Sequence, residues 1–184
     1  MPHECDHTYV KSSKVNFHLR TLGACVLSLA DQSVKLNTRK SLALLAYLAL
    51  TPTNSESRIR LAGLLWGESP EDKARTSLRQ VVAQLSDLKT PSGQPLILAD
   101  RHEIRLNIGS LSVDVIEAMD ELSRGIVPES FLAMHHFEDA FLSPIENIDH
   151  SFAAWLHQKR AALRNEFVRK LSTILARAAS PEEM

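Results

Sequence analysis

Cysteine is nearly absent: Cys5 and Cys25 alone, in 184 residues, make no disulfide framework. No run reaches the roughly eighteen uninterrupted apolar residues of a membrane span. The opening MPHECDHTYVKSSK also lacks the apolar centre of a secretion signal, so a cytoplasmic protein with no membrane partner is expected. Catalytic signatures are missing too. There is no GxSxG, P-loop, HExxH or paired-cysteine spacing, so neither an enzyme nor a cofactor is expected. His3, Cys5 and His7 alternate in the manner of ligands but sit in a tail with no fourth partner, and His135 and His136, being adjacent, face different ways on a helix. No metal site is expected from either. Charge of one sign is also lacking, since the net charge is −1. That balance hides an asymmetry: residues 15–109 carry twelve Lys and Arg against eight Asp and Glu, and the remainder nine against fourteen. The basic half has a mild field, short of the footprint that makes nucleic-acid binding obvious.

What is present is the composition of an ordinary globular protein, 44% hydrophobic and 23% charged. The chain is long enough for one ample core, or for one domain and part of another. Its most informative stretch is SPEDKARTSLRQVVAQLSDL, Ser69 to Leu88. Ser69 is placed to N-cap a helix, Pro70 suits the first helical position, and Glu71 with Asp72 puts acid where the dipole favours it. Ala74, Leu78, Val81, Leu85 and Leu88 recur at steps of four and three and form one apolar stripe. The opposite face carries Arg75, Thr76, Arg79, Gln80, Ala83 and Ser86. Guanidinium, amide and hydroxyl groups of this kind read base edges and phosphates, although a solvated helix face is the plainer reading of the pattern alone.

The order of elements around this helix shifts the balance. Residues 1–14 read as a disordered lead-in. Val15 to Leu22, Cys25 to Leu29 and Val34 to Leu36 alternate as a small antiparallel sheet, with a turn at Asp31 to Ser33. Thr38 caps RKSLALLAYLAL, apolar on nearly every side and stopped before Pro52: a buried central helix. A polar loop, Thr53 to Glu56, leads to Ser57 as cap of a shorter helix, Arg58 to Trp66, with Ile59, Ala62 and Leu65 inward. After the two-faced helix, TPSGQP reads as a loop, and LILA and EIRLN as strands around the turn Asp100-Arg101-His102. Sheet, three helices and hairpin make a winged helix, a helix-turn-helix followed by a β-wing. Asp114 to Ser123 reads as a short acidic helix, Gly125 to Pro128 as a linker, and Pro128 to Ile148 as a mixed stretch. Ser151 to Ala179 carries a stripe of Phe152, Leu156, Leu163, Phe167, Leu171, Ile174 and Ala178. That helix, roughly 40 Å long, needs more partners than one small domain supplies, which suggests a truncated further domain or a dimer.

In order, LRTLGAC, RKSLALLAYLAL, SRIRLAGLLWGESPEDKARTSLRQVVAQLSDL, LILADRHEIRLN, VDVIEAMDEL and FLSPIENIDHSFAAWLHQKRAALRNEFVRKL resemble the bacterial SARP/AfsR-like transcriptional regulators. The resemblance runs from Phe17 to about Leu175. It implies a mainly α fold with small β-sheets (α+β), with an OmpR-type winged helix-turn-helix over 15–124. Residues 125–184 would be a linker and the first helices of a truncated, TPR-like bacterial transcriptional activator domain. It implies a DNA-binding regulator acting on direct-repeat sites, with helix 70–88 in a major groove and hairpin 96–107 as wing. The loop Trp66, Gly67, Glu68 and Ser69 would face RNA polymerase. One departure is that the recognition helix ends in Gln84, Ser86 and Asp87, where such helices commonly carry further arginines. The same module also resembles one found ahead of nucleotide cyclase and other signalling domains, so a protein-interaction module without DNA binding is the alternative.

The candidate DNA contacts are Lys73, Arg75, Thr76, Arg79, Gln80, Arg101, His102, Arg39 and Arg58. Arg79 lies nearest the centre of the polar face, where a guanidinium can fork onto guanine or phosphate. Arg39 and Arg58 oppose the dipoles of the helices they start, which a phosphate contact would explain. Trp66 and Trp155 are expected to anchor cores.

Overall fold

A central helix, α1 (Arg39–Leu50), organises the computed structural model, which describes residues 16–129, 141–143, 145 and 147–179. The expected lead-in, with His3, Cys5 and His7, lies outside the described residues, as do Val15, the His135-His136 pair and much of the stretch before Ile148. Every residue of α1 from Ala43 to Leu50 is buried, as its unbroken apolar run requires. A helix so enclosed cannot leave its terminal peptide groups to water. At its start Thr38 Oγ1 accepts from the Ser41 amide, as its cap position implies. At its end each of the last four carbonyls has a donor. Thr51 Oγ1 reaches Tyr47, Thr51 N and Asn54 Nδ2 reach Leu48, Asn54 Nδ2 reaches Ala49, and Lys159 Nζ reaches Leu50 at 2.7 Å. Asn54 is left-handed (φ 51°), which turns its amide back onto the helix.

A four-stranded sheet in the order β3-β2-β1-β7, built from β1 (Phe17–Arg20), β2 (Val26–Leu29), β3 (Gln32–Ser33) and β7 (Leu111–Val113), adds Phe17, Leu19 and Leu27 to the core that holds α1. The sheet is not purely antiparallel as the sequence suggests: β7 returns from the far end of the winged helix and pairs parallel to β1. The turn falls at Ala30-Asp31, both left-handed, rather than at 31–33, and Val34 to Leu36 is no strand. A two-residue turn with both φ positive matches the strand twist, so the register shifts accordingly. Cys25 is buried, and burial pushes its thiol up to about 12, an effect the nearby Asp114 charge adds to. It is a neutral core side chain.

The helix-turn-helix consists of α2 (Arg58–Trp66) and α3 (Glu71–Asp87). Ser57 Oγ caps α2 by accepting from the Arg60 amide. Leu61, Ala62, Leu65 and Trp66 are its buried residues, whereas Ile59, expected inward, is 79% exposed. The first turn of α2 projects past the core towards the wing, so helical periodicity there has no core to face. In α3 the stripe is as read, with Ala74, Leu78, Val81 and Leu85 buried, Val82 added and Leu88 packed at the edge. Its start differs. Pro70, with ψ 143°, takes the cap position, and Ser69 makes no capping bond. The residue before a proline is pushed away from helical geometry, which displaces Ser69 by one position too far.

The wing consists of β5 (Ile97–Ala99) and β6 (Glu103–Leu106), joined by a third strand inside the expected polar loop, β4 (Ser55–Ser57), in the order β4-β6-β5. Three polar residues show no alternation, so only the partner β6 makes β4 a strand. After a single 3-10 turn (Ile108–Ser110) and β7 comes α4 (Asp114–Ser123), as expected. The Asp114 carboxylate accepts from Thr21 N, Thr21 Oγ1, Leu22 N and its own neighbour Val115 N, at 2.6 to 2.9 Å, tying α4 to the end of β1.

The long helix α5 (His150–Ala179) does find partners within this chain. Phe152, Leu156, Leu163 and Phe167 are buried, and α5 packs on α2 and α4. Trp155 packs against Tyr47 of α1 with ring centroids 5.0 Å apart and the ring planes tilted by 55°. Before it, Phe141, Leu142 and Ile145 are fully buried, and residues 141–143 bond along residues 21–25 through Leu142 N to Thr21 O, Ser143 N to Gly23 O and Cys25 N to Ser143 O. Arg160 of α5 seals this strap, donating Nη2 and Nε to the Phe141 carbonyl at 2.6 and 3.1 Å. Of the expected stripe, Leu171 and Ile174 pack at the core edge and Ala178 is exposed, as is Leu175 beside it, by 68%. The expectation of missing partners therefore narrows to the C-terminal end of α5. No helix among the described residues is long and apolar enough to cross a membrane.

Candidate nucleic-acid interface

The polar face of α3 opens to solvent because its opposite face is committed to the core. Arg75, Thr76, Arg79 and Gln80 are exposed, as is Lys73 in the first turn. Arg75 pairs with Glu71 one turn earlier, and the pair is exposed at both ends, so it is weakly held. Arg79 leans back along the helix, with Nη2 3.3 Å from Thr76 Oγ1 and Nε 3.5 Å from the Arg75 carbonyl. These contacts pre-align its guanidinium without burying it.

The wing tip is fastened to α2. Asp100 accepts from the His102 and Glu103 amides at 2.7 and 2.9 Å, an Asx-type turn that fixes the hairpin end. Those amides, Glu103 first, hold its carboxyl below the usual range. Arg58 then donates its backbone N–H to the His102 carbonyl at 2.8 Å and its Nε–H to the Asp100 carbonyl at 2.7 Å. A guanidinium has five donors, so the Nε bond sets the position of Arg58 while its terminal nitrogens extend beyond.

Three elements thereby enclose one open cleft of about 790 Å³, lined by Arg58 and Ile59 of α2, Arg75, Leu78 and Arg79 of α3, and Asp100 and Arg101 of the wing. Four of the sequence candidates meet here: Arg58, Arg75, Arg79 and Arg101. Three other residues complete the lining: Leu78 of the core stripe, Ile59 and Asp100, the last in the wing turn that the family resemblance places beside the minor groove or phosphates. Ile59 had the spacing of a core residue, and no local signal marks it as exposed. The role of Asp100 within that turn was legible in principle, because an aspartate three residues before the next strand at a hairpin tip invites this turn.

The other candidates lie elsewhere. Gln80 lines a smaller pocket of about 350 Å³ on the opposite flank of α3, with Asn37, Thr38, Lys40, Trp66, Ser77, Val81 and Gln84. His102 is exposed at the wing tip, where its backbone carbonyl is the part that works structurally. Arg39 is exposed at the start of α1 and lines neither cavity. Of the residues expected to form the polymerase-facing loop, Trp66 closes α2 and is buried under the Lys40 ammonium, 4.9 Å from the ring centroid, whereas Glu68 in the α2–α3 loop is exposed. Burial holds the Lys40 ammonium below its ordinary value, against the opposing pull of Asp149 and Glu68. Gly67 abuts α5: a Cβ there would meet the Gly63 carbonyl at 2.7 Å and the Asp149 carboxylate at 3.3 Å. Among the described residues no group of His, Cys, Asp and Glu is arranged to hold a metal.

The sequence matches no protein-family model, and no curated protein is similar enough to match. The fold is similar to that of a solved structure of EmbR from Mycobacterium tuberculosis, in complex with a low affinity phosphopeptide, with a TM-score of 0.57 and 19% identity. The likeness covers 85% of this chain and 43% of that one, so the chain spans less than half the length of that protein. At this identity the likeness establishes architecture: a winged helix followed by a helical segment.

Proposed function

We propose that this chain is a sequence-specific DNA-binding transcription regulator, with α3 in the major groove and the hairpin 96–107 as wing. The observation that carries this reading is the convergence of Arg58, Arg75, Arg79 and Arg101, from three separate elements, around one open cleft that holds a single carboxylate, Asp100. A fold gains nothing from gathering like charges; an anionic partner spanning helix and wing explains it. Arg79, Thr76 and Gln80 are assigned to base edges, Lys73, Arg75, Arg58, Arg101, His102 and Arg39 to phosphates. The winged-helix fold shared with EmbR supplies the scaffold this reading needs. The division into a winged-helix domain to residue 124 and the opening helices of an activator domain after it belongs to the same proposal, as do direct-repeat sites and contact between RNA polymerase and the loop around Glu68.

The test is fluorescence anisotropy on a tandem-repeat duplex from upstream of the protein's own gene, against a scrambled duplex, at two salt concentrations. Log affinity should fall with log salt by about 0.9 per neutralised phosphate, with a modest total because the cations are few. Tight binding is expected only where two protomers occupy repeats about one helical turn apart. Folded protein that binds no duplex even at low salt would sink this reading and leave a protein-interaction module in its place.

A further inference from the structure

The cleft is more than a ring of charge. Its lining is partly apolar: Ile59, 79% exposed at the start of α2, and Leu78 share it with Arg58, Arg75, Arg79 and Arg101. Nothing in the fold needs this isoleucine, since the buried residues of α2 are Leu61, Ala62, Leu65 and Trp66. A partner made only of charge would gain nothing from it, and a purely apolar partner would leave four guanidinium groups desolvated without acceptors. The sugar-phosphate backbone combines both characters, alternating anionic phosphates with largely apolar deoxyribose rings. The wing-to-α2 bonds from Arg58 to Asp100 and His102 hold the two walls of the cleft at a fixed separation. A backbone strand flanking an inserted α3 would then find the seat already formed.

We infer that the cleft seats one strand of duplex DNA, with Ile59 packed on a deoxyribose ring and Arg58 and Arg101 on the phosphates either side of it. This rests on the DNA-binding reading and deepens it by adding a contact residue that carries no charge and reads no base. Ile59 raises affinity equally on all sequences and at all salt concentrations, whereas the arginines set the salt dependence.

The experiment titrates the whole chain against a fluorescent mixed-sequence duplex of thirty base pairs at four salt concentrations. It compares the wild type with Ile59→Ser, Ile59→Val and Arg101→Gln, each first checked for an unchanged melting temperature. Ile59→Ser should weaken binding by about five- to twentyfold at every salt concentration, the range for losing a few buried carbon atoms, with an unaltered slope. Ile59→Val should stay close to wild type, and Arg101→Gln should reduce the slope by about one. Wild-type binding with Ile59→Ser unchanged overturns the sugar seat but leaves DNA binding standing; failure of the wild type to bind removes both. Polyglutamate affinity that depends on Ile59, with duplex affinity that does not, assigns the cleft to an acidic protein and also overturns the inference.

Discussion

The wing-side cleft and the strap between the N-terminal sheet and α5 use the same residue types for opposite ends. At the strap, Arg160 donates to the Phe141 carbonyl, and one residue earlier on α5 half-buried Lys159 donates to the Leu50 carbonyl at the C-terminal end of α1. Burial holds the Lys159 ammonium below its ordinary value, against the pull of Glu166. Cations there answer backbone carbonyls, and Lys159 sits where the α1 dipole is negative. At the cleft, Arg75, Arg79 and Arg101 are exposed, and their contacts are short-range and few. A basic residue's type therefore says little about its role. A charged head drawn onto an enclosed carbonyl, as at Lys159, is structural, whereas Arg58, whose Nε–H goes to the Asp100 carbonyl at the cleft, stands between the two groups.

The comparison breaks most visibly through the two faces of α3. Leu78→Asp puts an unpaired charge at a position that is 2% exposed, and should cost roughly 3–5 kcal/mol, enough to unfold a marginal domain. Circular dichroism melting measures it, and a cooperative transition at the wild-type temperature would show the faces to be reversed. Next comes the junction of α5 with α1: Lys159→Met keeps the aliphatic stem but leaves the Leu50 carbonyl without its donor, a loss of about 1–3 kcal/mol in urea unfolding. The wild type should also gain stability as pH rises towards 10.5, because the folded chain, with its lowered lysine value, releases that proton before the unfolded chain does. That increment should be missing from the methionine variant, whose duplex affinity stays as in the wild type once folded.

Arg79→Ala should invert that pattern, keeping the melting temperature while weakening specific duplex binding by about 1–3 kcal/mol and relaxing discrimination at one base pair. If it unfolds the protein instead, the cleft cations are structural too and the contrast between the regions collapses. The smallest effect belongs to Asp100→Asn. The carboxylate's value is depressed in the folded state, so its contribution is present above its ordinary value of 3.8 and lost as pH falls through the lower folded one. The variant should behave at neutral pH as the wild type does in acid, with faster hydrogen exchange at the His102 and Glu103 amides and an otherwise intact fold. Unchanged exchange at both amides counts against the wing tip being held by this side chain.

Sequence by itself determined whatever depends on neighbours within a turn or two. The caps Thr38 and Ser57, the buried run of α1, the stripe of α3, the wing hairpin and the extent of α4 all follow from spacing and local hydrogen bonding, and all appear as read. Even the polar face of α3 was legible, since a helix that buries one stripe must expose the other. What only the tertiary structure decided are pairings across long separations. β7 becomes a strand because β1, some ninety residues earlier, offers it an edge, and β4 because β6 does. Ile59 is exposed because α2 overshoots the core, and Ser69 misses the α3 cap because Pro70 redirects the chain. The cleft itself exists only where Arg58 meets the wing carbonyls, and α5 found its partner in the chain's own winged helix. Short polar segments carry no periodic signal of their own, so their conformation is set by whichever unpaired edge or carbonyl the rest of the fold brings to them.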